Sequence, residues 1–469
     1  MTDTTNSDVP PSAASAAAST LTQRLDRLAF TRAHAHVVTS SGIGWALDAL
    51  DVALISYVIV VLKSEWSLSS TEQSWIVSLG FIGMALGAML GGRLADRFGR
   101  RTVFALTLLI FGLGAALSAF APVLAFFLVM RFIVGLGLGA ELPVASTYVS
   151  EFAPPSIRGR IIVVLEAFWA IGWLLAALLG YLLVPHGDWG WRIAMLIGAV
   201  PALYAAFVRF GLPESIRFLE AHGRHDEAEQ IVRRFEKSPV MFRVQAAGAA
   251  ATRPSTSAEG ADSAESRTAT SGFGGLWRPG QVRNTVALSV VWFLVNFSYY
   301  GAFIWIPSIL AAQGHDLVKS FGYTLIITLA QLPGYAVAAW LIEHWGRRWT
   351  LASFLIGSAV SAVFFGTAGS VTAILVSGCL LSFFNLGAWG ALYAISPEVF
   401  PTALRGTGTG WSAGFGRVAS IIAPLLVPVV LAAAWGGTGV LFSIFGVAFV
   451  LAALSALLLD EHMGQVLTD

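Results

Sequence analysis

Apolar residues run along this chain in blocks of about twenty, the length a helix needs to cross a bilayer hydrocarbon core about 30 Å thick. The blocks predict twelve such helices, near 37–62, 73–94, 102–120, 122–150, 160–184, 190–211, 284–310, 319–342, 349–367, 370–396, 405–431 and 437–459. A polar insert, 212–283, separates the sixth run from the seventh. Its first part, PESIRFLEAHGRHDEAEQIVRRFEKS, predicts a short amphipathic helix. Its second part, AAGAAATRPSTSAEGADSAESRTATSGFGG, is a low-complexity linker too poor in large apolar residues to form a core. The expected layout is a tail (1–36), a six-helix domain (37–211), the linker (212–283), a second six-helix domain (284–459) and a short tail (460–469).

Composition strengthens the membrane reading. Of 469 residues, 56% are hydrophobic and 12% charged, with mean hydropathy +0.73, whereas soluble domains carry about 25% charged residues. The fold class expected is an all-α integral membrane protein, with the lipid bilayer as partner. A net charge of +1 offers no footprint for nucleic acid. The single cysteine, Cys379, excludes an intrachain disulfide. Residues 1–36 are too polar for a secretory signal, so the first run should be retained. With the N-terminus inside, 23 of the 28 Lys and Arg residues fall on cytoplasmic segments. That bias predicts both termini cytoplasmic. His186, His315 and His344 fall in expected loops, so no metal constellation is visible. No nucleophile–base set or phosphate-binding loop stands out, so neither an enzyme nor a cofactor is expected.

Two motifs recur at one spacing. DRFGRR places Gly99 before Arg100 and Arg101, and EHWGRR places Gly346 before Arg347 and Arg348, 247 residues later. SEFAPPSIRGR carries Glu151 and Arg158; PEVFPTALRGT carries Glu398 and Arg405, at the same offset. Two motif pairs at one offset imply a duplicated six-helix half, a build common among secondary transporters. The charged residues of these loops, with Asp96 and Arg97, are expected to form networks that hold one conformation.

The run GGRLADRFGRR resembles the loop between helices 2 and 3 of the major facilitator superfamily. RFIVGLGLGAELPVASTYVSE and LPESIRFL resemble sugar-porter-related members. Residues 43–218 are most similar to NiaP-type niacin transporters, in the metabolite:proton symporter group related to synaptic-vesicle glycoproteins. The segments that carry this are GWALDALDVALISYV, GLGLGAELPVASTYVSE, VVLEAFWAIGWLLAAL and WRIAMLIGAVPALYA. The second half matches more loosely, except around SPEVFPTALRGTGTG. The seventh run lacks the paired glutamines of sugar porters, and the C-terminus lacks their P-E-T-x-G, which weakens sugar as the substrate.

Charges inside the apolar runs carry the candidate chemistry, because a charge at mid-membrane costs about 2.5–3.5 kcal/mol even on lenient scales. Asp48 and Asp51 lie three apart, on one helical face. The resemblance assigns Asp51 the proton and Arg131 the role of its partner, with Asp48 sharing the proton or facing cavity water. A static ion pair joining the first and fourth helices is the plainer reading. Glu141 is expected to meet a neighbouring helix or a vestibule. Glu166 matches a cavity position of sugar porters, with Trp169 and Trp173 at i+3 and i+7. Arg417 has no acid on its own helix, which suggests an anionic ligand. Around it, Asn296, Tyr299 and Tyr300 on the seventh run and Asn385, Trp389 and Tyr393 on the tenth can supply hydrogen bonds and ring faces.

The expected function is proton-coupled uptake of a small organic anion by a monomer. An aromatic carboxylate, nicotinate first, leads by resemblance; a benzoate-like acid or a sugar or polyol are the alternatives. A receptor on the same fold would bind ligand without flux.

Overall fold

The computed structural model describes residues 20–242, 273–314, 316–401 and 404–460, so His315 and most of the low-complexity insert lie outside the described residues. Among the described residues, twelve helices are long and apolar enough to span a membrane. In the first half they are α1 (Arg32–Glu65), α2 (Ser70–Phe98), α3 (Arg100–Ala119), α4 (Leu124–Phe152), α5 (Arg158–Leu182) and α6 (Gly190–Gly211). In the second half they are α7 (Val282–Ala312), α8 (Leu317–Trp345), α9 (Arg347–Gly366), α10 (Val371–Ile395), α11 (Arg405–Ala432) and α12 (Thr438–Ala456). Three of the twelve are broken mid-course: α6 after Ile197, α7 after Phe303 and α8 after Leu329. Pro201 and Pro307 occupy the first turns of the resumed segments of α6 and α7. Proline lacks the N–H a continuous helix would need there, and hydropathy averaged over twenty residues does not register the interruption.

Helix boundaries follow local chemistry. Ser69 caps α2 reciprocally with Glu72, whose amide reaches the Ser69 hydroxyl (3.2 Å) while its carboxylate accepts from the Ser69 amide (2.8 Å). Gly99 and Gly346 join α2 to α3 and α8 to α9 with φ of +94° and +84°. Only glycine takes that conformation at little cost, which accounts for the repeated glycine before each arginine pair.

The two halves use the same pairing scheme. α1 packs on α5, α2 on α4 and α3 on α6; α7 packs on α11, α8 on α10 and α9 on α12. The α2–α4 contact is backbone against backbone. A methyl group added at Gly83 or Gly87 would lie 2.3 or 2.2 Å from the carbonyl oxygens of Phe132 and Leu136, so the glycines set the helix separation. Outside, Leu106, Leu109, Leu113 and Leu117 on α3 are 39 to 50% exposed. Buried Asp, Glu, Asn and Arg face inward, an arrangement suited to lipid.

At the end opposite the termini the halves are fastened together. Pro428 within α11 leaves the Pro424 carbonyl without its helical donor. The Ser74 hydroxyl of α2 supplies one at 2.9 Å, Ser78 donates to the Ile421 carbonyl at 3.1 Å, and Tyr57 packs edge-on against Phe321.

The expected N-terminal tail is partly structured. Leu21–Asp26 is helical, and Phe30–Thr31 (β1) pairs antiparallel with Val240–Phe242 (β2) from the linker. Arg24 binds Glu229 and Glu236 on the linker helix His225–Glu236 at 2.7 and 2.9 Å. His344, expected in a loop, lies in the last turn of α8 beside the Trp340 carbonyl at 2.8 Å. Arginines after Gly346 start a new helix, so the polar stretch is a helix junction rather than a long loop.

Candidate functional site

The acids of α1 face α4, not lipid. Arg131 Nη1 donates to Asp51 Oδ2 at 3.0 Å, and both side chains are almost wholly buried. The second Asp51 oxygen has no partner among the described residues. Asp48, one turn toward the termini, is also buried and meets Glu141 of α4. Glycine makes room for that meeting. A methyl at Gly44 would lie 2.8 Å from Glu141 Oε1 and 2.9 Å from Phe104. Trp45 lies beside Glu166 of α5, which ties the second expected carboxyl position to the same helix.

The residues expected around a ligand converge between the halves. Arg417 of α11 donates to the Tyr300 hydroxyl at 3.4 Å, at the long limit of a hydrogen bond. No carboxylate stands within 4 Å of it among the described residues, so the guanidinium keeps most of its five donors. Glu166, on the opposite half, is near enough to interact with it electrostatically, as are Tyr300 and Tyr393. The absence of an acid on α11 itself therefore understated the negative field around Arg417.

Aromatic rings of both halves continue from Tyr300 and Tyr393. Trp169 Nε1 points at the Tyr299 hydroxyl (3.4 Å) across the halves, and Trp173 lies 5.4 Å from the Tyr299 ring. Tyr299 meets Trp389 edge-on at 5.6 Å, and Trp389 continues to Tyr393 at 5.8 Å. Phe81 of α2 meets Tyr300 at 4.6 Å. Arg417 and Tyr393 retain partial exposure while Tyr299, Tyr300 and Asn385 are buried.

The two expected amides have different surroundings. Asn296 donates to the Trp292 carbonyl at 2.7 Å and accepts from Ser420 at 3.0 Å, which joins α7 to α11. Asn385 is fully buried, and neither its nitrogen nor its oxygen has a partner among the described residues. Gln331 on α8 and Ser382 on α10 are in the same condition, and the sequence analysis missed both. Their only signal was a polar side chain within an apolar run, which many helix-packing residues share.

The repeated loop motifs form two charge clusters on the termini side. Arg100 bridges Asp96 at 2.8 Å and Glu151 at 3.3 Å. Glu214, from LPESIRFL, accepts the Arg101 amide at 3.0 Å and lies beside the Arg101 side chain, so it caps the start of α3. Ser215 donates to Glu151, closing the cluster. In the second half Arg347 bridges Glu398 at 2.9 Å, and Arg348 donates to the Leu459 carbonyl at 3.2 Å. Arg405 begins α11. Two of the motif arginines lie apart from the Arg100 cluster. Arg97 is exposed and lies over the Phe98 ring. Arg158 reaches Asp26 at 3.5 Å and the Ala153 carbonyl at 3.3 Å, while Glu151 of the same motif pairs with Arg100. Partial burial lowers the Arg158 basicity, an effect that Asp26 opposes.

The sequence pattern of the family described as "Sugar (and other) transporter" matches residues 13–458. The niacin transporter NiaP of Acinetobacter baylyi is 46% identical over 450 residues, 95% of this chain and 98% of that protein. The putative niacin/nicotinamide transporter NiaP of Bacillus subtilis is 46% identical over 425 residues, 91% of this chain and 95% of its own. The partially occluded, inward-open xylose transporter XylE from E. coli superposes with a TM-score of 0.73 at 21% identity. That match covers 93% of this chain and all of XylE.

Proposed function

The chain belongs to the sugar (and other) transporter family, of the major facilitator superfamily, and from that premise we propose that it imports a small aromatic carboxylate, nicotinate, with protons. It is a multi-pass membrane transporter of a small molecule, not an enzyme. The observation that carries the substrate reading is Arg417. A permanent cation, acted on by Glu166 of the opposite half, has one long hydrogen bond to Tyr300, whose ring packs against Phe81 of the first half and Tyr299 of the second. A planar guanidinium matches a carboxylate through two parallel hydrogen bonds, and flanking rings suit a flat heterocycle. Relatives at 46% identity named for niacin support the same ligand. Asn385, buried with its amide unsatisfied, is the proposed donor or acceptor for the ring edge.

Proton coupling rests in this proposal on Asp51 and Arg131. Protonation of Asp51 removes one member of a buried pair and frees Arg131, which changes the attraction between α1 and α4. The Ser74, Ser78 and Tyr57 contacts close the end opposite the termini. Breaking them while the Arg100 and Arg347 clusters tighten would open the site to the other side, by rocking one half against the other. The distribution of Lys and Arg supports cytoplasmic termini in the cell membrane, so the closed end faces outside and inward proton flow drives uptake. We take the monomer as the transporting unit.

The test uses purified protein in liposomes. Labelled nicotinate should accumulate when the exterior is acid, and not without a pH gradient. Arg417→Lys keeps the charge but loses the fork, and should weaken nicotinate binding by about tenfold or more, the loss of about 1.5 kcal/mol expected for a charged hydrogen bond. Nicotinamide, which is neutral, should bind the parent weakly and respond little to the substitution. Parental affinity for nicotinate in a folded Arg417→Ala protein would overturn the anion assignment. Binding without flux would make the protein a receptor.

A further inference from the structure

The coupling scheme above leaves one buried feature unused, the meeting of Asp48 on α1 with Glu141 on α4. Both are essentially inaccessible to solvent, and none of their four carboxyl oxygens receives a donor among the described residues. The Thr107 hydroxyl, which also acts on Glu141, donates to the Phe104 carbonyl at 2.8 Å. Glu141 Oε1 sits against α1 at Gly44, where an added methyl would lie 2.8 Å from it, one turn from Asp48 on the same helix face, and the two carboxyl groups act on each other. Ionised carboxylates are acceptors only, so a hydrogen bond joins them only if a proton lies between them.

We infer that Asp48 and Glu141 form a second proton-binding site, which holds one proton between two carboxyl groups and is separate from the Asp51–Arg131 pair. The inference rests on the reading of this chain as a proton-coupled carrier. Two acids three apart on α1 thereby acquire different partners on α4: Asp51 a guanidinium, Asp48 another acid. α1 and α4 run in opposite directions, so the carboxyl pair lies nearer the termini than the ion pair.

The charged and titratable groups facing the pair decide what its proton can do. Asp51 lies one turn from Asp48 on the closed side, and its partner Arg131 is ten residues from Glu141 along α4. Arg417 of α11 and Asp51 both act electrostatically on Asp48. Tyr204 of α6 senses Glu141, and Glu166 of α5 interacts with Trp45 and with Arg417. Among the described residues no cation contacts the pair directly. Its charge is therefore −1 with the proton and −2 without, in the field that also holds Arg417. With the proton in place, more of the Arg417 field is available to a substrate carboxylate. Release of the proton turns the pair into a competitor. The proton leaves to water, with both carboxylates ionised and no other bond changed.

Infrared difference spectroscopy of the full protein in lipid tests the site without any substrate. At neutral pH the parent should show a protonated-carboxyl C=O band that persists in Asp51→Asn and is lost or displaced in both Asp48→Asn and Glu141→Gln. Each amide keeps a hydrogen bond across the interface, and the double variant, Asp48→Asn with Glu141→Gln, should retain the parental unfolding midpoint. The second readout is nicotinate affinity against pH, which should flatten in Glu141→Gln relative to the parent. No such band in the parent, or a band unmoved by both substitutions, overturns the site. So does an unchanged pH profile in a folded Glu141→Gln protein. If the parent carries the band but neither binds nor accumulates nicotinate, the proposed function fails and the proton site stands.

Discussion

Arg131 and Asp51 can be taken apart one at a time. At 3.0 Å and almost complete burial, the gross attraction is about 5 kcal/mol for an effective dielectric of about 20. That figure is not the net contribution, because removing both charges from water opposes it. The asymmetry of the pair is more informative than its sum. Arg131→Met leaves Asp51 buried and unpaired, a defect that typically costs about 3–5 kcal/mol. Asp51→Asn with Arg131→Met replaces the pair by a neutral amide and an apolar chain, and should recover about 2–3 kcal/mol of that loss. Denaturant unfolding in mixed micelles of the parent, both single variants and the double variant gives the coupling energy. Liposome uptake on the same proteins tests function: Asp51→Asn should lose gradient-driven accumulation while exchange of substrate persists. If Arg131→Met costs less than about 1 kcal/mol, or the second substitution adds to the loss, the pair is not the buried charge lock inferred here. Accumulation retained in Asp51→Asn would move proton coupling to another acid.

Three further outcomes follow from named contacts. Gly87→Ala places a methyl 2.2 Å from the Leu136 carbonyl, a backbone atom that cannot swing aside. It should cost about 1–3 kcal/mol and lower the yield of folded protein, whereas Gly92→Ala, with open space around it, should not. Glu214→Ala removes the acceptor of the Arg101 amide, and should destabilise the start of α3 by about 1–3 kcal/mol, read as faster amide exchange there. Hydrogen bonds from Arg24 and Arg233 hold the Glu229 carboxyl below its usual range. Its contribution is complete above the unfolded value of about 4.3 and is lost as pH falls through the lower folded value. Amide exchange in Leu21–Asp26 should therefore rise only in acid, and Glu229→Gln should remove that pH dependence.

Much of this molecule could be read along one dimension. Lipid contact and helix length constrain every span separately, so a run of about twenty apolar residues identifies a crossing without knowledge of its neighbours. The repeat, the glycines before the arginine pairs and the α2–α4 glycine row are likewise local: each needs only one backbone turn or one close approach. Charges within apolar runs also announced themselves, because lipid penalises them wherever they face it. What they face was decided in three dimensions. The Asp51–Arg131 pair joins residues 80 apart in sequence, and Ser74 reaches Pro424 across 350. Whether such groups meet depends on the rotation of each helix about its axis, which the packing of the other eleven sets. The same rotation turned Asn296 into a joint between α7 and α11 and left Asn385 unsatisfied, though both read alike as polar positions in apolar helices. It also brought Glu141 onto Asp48 and Glu166 toward Arg417. Hydropathy is a property of each residue and survives averaging along the chain; a proton site is a property of a pair, and exists only once the helices that carry its members have packed.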